Sequence, residues 1–319
     1  MPRRSPDLGD VVVVTVRKSF WASPDAERFP HRVYARVFRG HSTSLVNSGV
    51  VFARALAAIL RRRPRVVLLG SVERTVPWFI RARRLGLLGR ARLVVTNQLN
   101  LSDDQLALVD RDIVYSQAWI DSQRPAVRER AVFVPLPADG VEGAASIRDD
   151  GYVFAGGGTG RDFRTLIAAL GDSDITLRLV TFDAGTLGWE GALPSNVHVE
   201  WAMPLGAFVE RVARSRLVAV PLRDPESDFG QTTLVQALSL GKPIVATRAR
   251  GVVDYVEDGR EGLLVDAGDV SALRAAVVRL YEDGPMREAC GRRALERAGR
   301  SSYAAFAERI AEICRSIDE

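Results

Sequence analysis

The chain has 319 residues, 47% hydrophobic and 26% charged, a balance that excludes a disordered or fibrous protein. Its length suits two domains of roughly 150 residues each, and its net charge of +5 conceals a net charge of +12 on residues 1–137 and of −7 on the rest. This asymmetry predicts an anionic partner for the first half, whether lipid, nucleic acid or a charged substrate, although a solvated basic face would give the same composition.

The N-terminal segment, Met1–Asp10, lacks the apolar core of a signal peptide, and no apolar run in the chain reaches the ~20 residues needed to cross a bilayer. Cys290 and Cys314 both fall in helical patterns and are expected to be reduced thiols that fill space. We therefore expect a cytoplasmic protein, peripheral to the inner face of the membrane if its basic half binds lipid.

Short β-branched runs alternate with helical periodicity through the first half of the chain. Strands are predicted at Val11–Val16, Val33–Phe38, Val66–Leu69, Leu93–Thr96, Ile113–Tyr115 and Val132–Val134, with helices at Leu45–Arg62, Thr75–Leu85 and Ala118–Arg128. Strands separated by helices of this length indicate βαβ units and a mainly parallel sheet.

The arginines of this half form two clusters, which are Arg54, Arg61, Arg62, Arg63 and Arg65, and then Arg81, Arg83, Arg84, Arg90 and Arg92. The second cluster is interleaved with Trp78, Phe79, Ile80, Leu85, Leu87 and Leu88. This pattern is typical of a helix in an anionic membrane interface, and equally of an amphipathic helix whose apolar face lies in the core. No nucleic-acid partner is expected, since no recognition motif accompanies the charge.

A second alternating pattern follows the segment Pro135–Asp150, whose prolines, glycines and charges indicate a linker. Its strands are predicted at Tyr152–Ala155, Thr176–Val180, Val197–Val199, Leu217–Val220, Ile244–Thr247 and Gly262–Val265, and three helices follow at Val270–Tyr281, Pro285–Arg297 and Ser302–Ile317. The whole pattern predicts an α/β protein with two doubly wound domains.

The first loop of the second domain carries three adjacent glycines, Gly156 to Gly158, followed by Thr159 and Arg161. Loops that lead from a strand into a helix N-terminus bind anions through free amides and the helix dipole, and an arginine adds charged donors. A tight turn is the simpler alternative. The dinucleotide fingerprint G-x-G-x-x-G is broken, because Arg161 stands at its third glycine, although Asp183 at the next strand end leaves a nicotinamide dehydrogenase open.

The next loop of interest follows the predicted strand Leu217–Val220. It contains the acidic residues Glu226 and Asp228 and ends at Gly230-Gln231-Thr232-Thr233, directly before a predicted helix. Backbone amides and hydroxyls at this helix N-terminus would suit a diphosphate.

The stretch from residue 226 to residue 265 resembles the donor-domain signature of family-four glycosyltransferases, E-G-F-G-x-x-x-x-E-A-M-A-x-G-x-P-V-V and then G-x-x-E-x-v-x-D-G-x-x-G-x-L-V. The matching residues are Phe229-Gly230, Ala237-Leu238, Gly241, Pro243-Ile244-Val245, Gly251, Asp258-Gly259 and Gly262 to Val265. The resemblance covers residues 151–300 and reaches the first half only through general architecture.

The resemblance implies a GT-B fold, in which two doubly wound Rossmann-like domains face a cleft. The N-terminal domain, residues 1–137, would bind the acceptor, and the C-terminal domain, residues 138–302, would bind a nucleotide sugar. A last helix, residues 303–319, would cross back onto the N-terminal domain.

The donor-binding residues implied by the resemblance are Gly156, Gly157, Gly158, Thr159, Arg161, Trp201, Phe229, Gly230, Gln231, Thr232, Thr233 and Gln236. The resemblance also implies that the loop around Trp201–Pro204 lies near the nucleotide base. Two glutamates normally bracket the signature, and here Ser227 and Gln236 stand in their places. We expect Glu226 or Asp228 to substitute for the first glutamate and the Gln236 amide to bind a ribose hydroxyl. The catalytic candidates are Glu226, Asp228 and Arg161, and the acceptor-side candidates are Glu73 and Asn97.

The implied reaction moves a sugar from a nucleoside-diphosphate sugar to a hydroxyl of a glycan, a lipid-linked sugar or a small molecule, with retained configuration. No cofactor and no metal are expected, since His31, His41 and His198 are scattered and no Asp-x-Asp motif ends a strand. The replaced glutamates also allow a non-catalytic homologue that assists another transferase. A nucleotide-sugar epimerase on the same kind of fold is a further alternative.

Overall fold

The computed structural model describes residues 10–16, 31–35, 45–70, 75–97, 101–137 and 149–317. The chain divides into two compact units, a first unit of residues 1–135 with 303–319 and a second unit of residues 136–302. In the described residues no helix is long and apolar enough to cross a membrane.

The first unit contains a parallel sheet with the strand order β2-β1-β3-β4-β5-β6. Its strands are β1 (Val11–Val16), β2 (His31–Ala35), β3 (Val66–Gly70), β4 (Arg92–Thr96), β5 (Arg111–Val114) and β6 (Ala131–Phe133). Its first helices are α1 (Leu45–Arg62), α2 (Val76–Arg84), α3 (Asp103–Leu106), α4 (Gln117–Ser122) and α5 (Pro125–Arg128).

The single helix predicted at Ala118–Arg128 is wrong, because the structure has two short helices there, α4 and α5. Pro125 is the first residue of α5, and Arg124 before it is extended, with ψ near 155°. A proline cannot donate an intrahelical hydrogen bond and disfavours helical backbone in the residue before it, so the first helix ends and a second begins.

The second unit contains a parallel sheet with the order β12-β11-β10-β7-β8-β9. Its strands are β7 (Val153–Gly156), β8 (Leu177–Thr181), β9 (Val197–Trp201), β10 (Leu217–Val220), β11 (Ile244–Thr247) and β12 (Gly262–Val265). Its helices are α6 (Phe163–Leu170), α7 (Ala184–Leu187), α8 (Leu205–Arg214), α9 (Gln231–Ser239), α10 (Arg250–Val253), α11 (Val270–Glu282) and α12 (Gly284–Gly299), and α13 (Tyr303–Ser316) completes the first unit.

The valine run of β1 is continuous because the first sheet is covered on both faces. Val11 and Val13 pack with residues of α13, whereas Val12 and Val14 pack with residues of α1 and α2. Both cysteines are free and buried, and burial raises the pKa of the Cys314 thiol to about 12. The chain therefore returns through α13 to fill one face of the first sheet.

Candidate functional site

The strand order of the second sheet reverses between β7 and β10, which are neighbours although three crossovers separate them in the chain. The loops that follow the two strands diverge there and leave a crevice, which is where doubly wound sheets bind ligands. The two loops are also joined to each other. Arg161 and Leu222 form an antiparallel bridge, and the Asp162 amide donates to the Pro221 carbonyl at 3.0 Å.

Arg161 lies under this crevice with only 4% of its surface exposed. Its Nε donates to the Gly156 carbonyl at 2.9 Å and its Nη2 to the Thr233 hydroxyl at 3.0 Å. In the described part of the chain no salt bridge joins it to an acidic side chain, and desolvation lowers the pKa of its guanidinium to about 10. A buried cation that is neutralised by no carboxylate is costly, and an anionic ligand would relieve the cost.

Two glycines shape the crevice through backbone that other residues adopt with strain. Gly157 has a φ of 121°, and a Cβ at that position would lie 2.8 Å from the Arg161 guanidinium. Gly230, with a φ of 111°, is the N-cap of α9. The first amides of α9 have no intrahelical acceptor, so they and the positive end of the helix dipole face the same space as Arg161.

A cavity of about 390 Å³ lies at this place in the second unit. Nine of the predicted donor residues line it: Gly157, Gly158, Thr159, Arg161, Phe229, Gly230, Gln231, Thr232 and Thr233. Gly156 lies buried directly before them at the end of β7. Met203 also lines the cavity and lies in the segment Trp201–Pro204, which was expected near the base. The other lining residues had not been predicted, and they are Val180, Thr181, Phe182, Leu205 and Phe208.

Besides Gly156, two predicted donor residues do not line the cavity. Trp201 is the last residue of β9 and is 52% exposed, whereas Met203 and Leu205 in the following segment reach the cavity wall. Gln236 lies in the second turn of α9 and is partly buried. Within the segment Trp201–Pro204, Met203 therefore lines the cavity and Trp201 does not.

The acidic candidates Glu226 and Asp228 are bound to Arg250, a residue that the sequence analysis missed. The guanidinium of Arg250 donates to both carboxylate oxygens of Asp228, at 2.6 and 2.9 Å, and to Glu226 at 2.9 Å. Neither acidic residue lines the cavity. Arg250 engages both carboxylate oxygens of Asp228 and one of Glu226, and the expected role of these residues toward the sugar stays a prediction.

Arg250 holds the acidic loop against the short helix α10. The Gly251 amide donates to the Ser227 carbonyl at 2.8 Å, and a Cβ on Gly251 would lie 2.7 Å from the backbone of Asp228. The Gln231 side chain donates to the Asp228 carbonyl at 2.6 Å, which ties the loop to the start of α9. The ion pair of Arg250 with Asp228 therefore fixes the loop that presents Gly230 to the cavity. In the sequence only Gly251 hinted at this contact, because Arg250 and Asp228 are 22 residues apart.

We expect Arg250→Ala to lower the free energy of unfolding by about 2 kcal/mol, because it leaves the half-buried Asp228 carboxylate without its two charge-assisted hydrogen bonds. Urea denaturation measures the change. Arg248→Ala is the matched control, since the ion pair of Arg248 with Asp258 is exposed and contributes at most about 1 kcal/mol. Equal effects of the two substitutions would contradict the structural role of Arg250.

The acceptor-side candidates belong to the first unit. Asn97 follows β4 and has a φ of 55°, a left-handed conformation that asparagine tolerates better than most residues. Glu73 lies outside the described residues. Across the described ranges, no group of three His, Cys, Asp or Glu side chains could hold a metal ion. The roles of Asn97 and Glu73 stay predictions.

The arginine clusters meet at the end of the first sheet where β3 and β4 begin, opposite to the end that Asn97 follows. Leu60, Arg63, Leu87 and Arg90 line one groove of about 1210 Å³ there. Phe79, Ile80 and Leu88 are buried in the core, whereas Trp78, Leu85 and Leu87 are exposed. The buried residues fit an amphipathic helix whose apolar face lies in the core, and the exposed residues fit a membrane interface.

Comparison with known proteins relates the second unit to a family of sugar-transferring enzymes. Residues 164–283 match the family described as "Glycosyl transferases group 1". Over 97 residues the chain is 35% identical to a D-inositol 3-phosphate glycosyltransferase of Corynebacterium kroppenstedtii, a match that covers 30% of this chain and only 21% of that relative's length. The family match confirms the resemblance that the sequence motifs indicate for this unit.

Solved structures share the fold over nearly the whole chain. HepE of Anabaena, solved in complex with UDP-glucose, has a TM-score of 0.67 at 17% identity, over 95% of this chain and 91% of that one. A sucrose-phosphate synthase from Thermosynechococcus elongatus has a TM-score of 0.68 at 16% identity, over 96% and 89%. These likenesses confirm the predicted GT-B fold.

Proposed function

We propose that this GT-B chain, whose second unit is similar to the group 1 glycosyl transferases, moves a sugar from a nucleoside-diphosphate sugar to an acceptor hydroxyl. The observation that carries the proposal is Arg161, a buried cation without an acidic partner in the described residues, next to a cavity lined by glycine amides and the N-terminus of α9. Such a site suits a diphosphate. The UDP-glucose held by the HepE structure, a protein of the same fold, supports this reading.

The diphosphate is the leaving group of the proposed reaction, and its negative charge grows as the glycosidic bond breaks. Arg161 and the first amides of α9 are fixed before any ligand binds, because hydrogen bonds to the Gly156 carbonyl and the Thr233 hydroxyl hold Arg161 and helix structure holds the amides. Donors that are already oriented stabilise developing charge without a reorganisation cost. We propose that these groups replace a metal ion as the stabiliser of the leaving group, and that the transfer retains configuration.

Thermal unfolding against a panel of ligands tests the proposal. Saturation of the native protein with its nucleoside diphosphate, chosen from UDP, GDP, TDP and ADP, should raise Tm by about 5 to 10 °C. The shift should persist with EDTA if no metal is required. A well-folded sample that responds to none of these nucleotides or their sugars would contradict the donor site and favour a non-catalytic homologue.

We further propose that the exposed arginine surface of the first unit, defined as Arg61, Arg63 and Arg90 with Leu60, Leu85 and Leu87, contacts an anionic membrane. The three arginines are exposed, and no ion pair occupies them in the described residues. Exposed leucines between unpaired arginines suit a surface that inserts shallowly among acidic headgroups.

Charge reversal at Arg61, Arg63 and Arg90 should weaken binding to vesicles that contain phosphatidylglycerol by at least about 100-fold, since each basic residue contributes about 1 kcal/mol near such a surface. Co-sedimentation measures the loss, and neutral phosphatidylcholine vesicles should bind neither protein. Arg292→Glu, at an exposed position in the second unit, is the control. Vesicle binding that survives the triple reversal would overturn the proposed membrane contact.

A further inference from the structure

The hydroxyl of Thr181 is a buried polar group that the proposed chemistry does not use. Thr181 ends β8, is 1% exposed and lines the 390 Å³ cavity. Its Oγ1 has no hydrogen-bond partner among the described residues. Buried hydroxyls are nearly always satisfied, and an unsatisfied one costs stability, so this hydroxyl calls for an explanation.

The wall of the cavity combines polar and apolar groups. Arg161 and the start of α9 supply cationic and amide donors, whereas Val180, Met203, Leu205 and Phe208 supply apolar wall. A ligand that suits this wall carries an anionic group and a flat group with apolar faces. Within a nucleotide sugar, the diphosphate is anionic and the base of the nucleoside has apolar faces.

The backbone directly after β9 is strained where it approaches the cavity. Thr181 is paired with Trp201, and its carbonyl accepts a hydrogen bond from the Ala202 amide at 2.8 Å. Ala202 has a φ of 30°, which a residue with a Cβ rarely adopts. This turn leaves Trp201 exposed and lets Met203 line the cavity that Thr181 also lines. Strain of this kind persists where the surrounding structure enforces it, often at ligand sites.

We propose that the Thr181 hydroxyl hydrogen-bonds the nucleoside of the donor, on the base edge or on a ribose hydroxyl, and so sets nucleotide specificity. This inference rests on the proposed donor site. A threonine hydroxyl both donates and accepts, so it can bind either group. The other buried side-chain atoms without a partner in the described residues, on Arg178, Asn196 and Arg315, do not line this cavity.

Thr181→Val tests the inference, because valine keeps the shape of threonine and removes only the hydroxyl. The ligand-free variant should unfold about 2 to 4 °C higher than the wild type, since an unsatisfied buried group is gone. Its Kd for the preferred nucleoside diphosphate should rise about 10-fold, whereas competition by inorganic pyrophosphate should stay unchanged. Thr181→Ser should restore the nucleotide affinity.

Thr247→Val is the matched control. Thr247 also ends a strand of the second sheet, but its buried hydroxyl donates to the Leu222 carbonyl and accepts from the Leu222 amide. Removal of the Thr247 hydroxyl should lower Tm, whereas removal of the Thr181 hydroxyl should raise it. A 2′-deoxynucleotide separates the two possible contacts, since Thr181→Val should bind it no worse than the wild type does if the ribose is the partner.

Unchanged nucleotide affinity in Thr181→Val, or an equal loss of affinity for nucleotide and pyrophosphate, would overturn the inference and leave the donor site standing. A wild-type protein that binds no nucleoside diphosphate would overturn both. The two failures are therefore distinguishable in one set of titrations.

Discussion

Replacement of Arg161 by methionine should abolish the nucleotide-induced rise in Tm and reduce sugar transfer at least about 100-fold, without a loss of stability in the ligand-free protein. The reason lies in the burial of an uncompensated charge. Desolvation lowers the pKa of Arg161 to about 10, a destabilisation of the charged form on the order of 3 kcal/mol that an apolar side chain avoids.

The hydrogen bonds lost with Arg161 should matter little to the fold, because the Gly156 carbonyl still accepts from the Thr233 hydroxyl at 3.1 Å. Thermal unfolding with and without the preferred nucleotide measures both effects. Arg164→Met is the control, since Arg164 is an exposed arginine three residues along the chain. Arg161→Met protein that still responds fully to nucleotide would contradict the assigned role, and Arg161→Lys should keep part of the response because it retains the charge but not the planar fork.

Substitution of Gly262 by alanine should lower the free energy of unfolding by at least about 3 kcal/mol. Gly262 opens β12, whose residues pair with β11, and a Cβ at this position would overlap the carbonyl oxygen of Ile244. The obstacle is the backbone of the neighbouring strand, which cannot move without breaking the pairing of the two strands. Urea denaturation of the purified variant, or its yield of soluble protein, measures the loss.

Gly206→Ala is the control for Gly262→Ala. Gly206 lies in α8, and a Cβ there would meet no atom within 4 Å. Alanine is the better helix former, so this variant should be as stable as the wild type or slightly more stable. A Gly262→Ala protein of wild-type stability would show that β12 pairs with β11 less tightly than the structure indicates.

The fold was predictable because its signals are local. Runs such as Val11–Val14 and Leu217–Val220 are apolar at every position, which is typical of strands covered on both faces by helices. The break between α4 and α5 at Pro125 was also predictable, because proline seldom continues a helix. The prediction of one helix over Ala118–Arg128 did not take this proline into account.

The candidate site was predictable to the extent that it depends on neighbours in the chain. Gly157, Gly158 and Gly230 mark turns into helix N-termini, and the amides of those turns follow from backbone geometry alone. The ion pair of Arg250 with Asp228 left no such mark, because it depends on which loops are adjacent in the folded unit.

The sequence by itself determined two doubly wound domains, their glycine-rich loops and the resemblance to the glycosyltransferase signature, since periodicity, turn residues and motif spacing act over a few residues at a time. Only the tertiary structure decided that Arg161 is buried without a carboxylate in the described residues, that Arg250 binds the acidic candidates, and that Thr181, whose buried hydroxyl has no partner in the described residues, lines the cavity. Burial and long-range pairing arise when segments far apart in the chain pack together, and no short stretch of sequence carries that information.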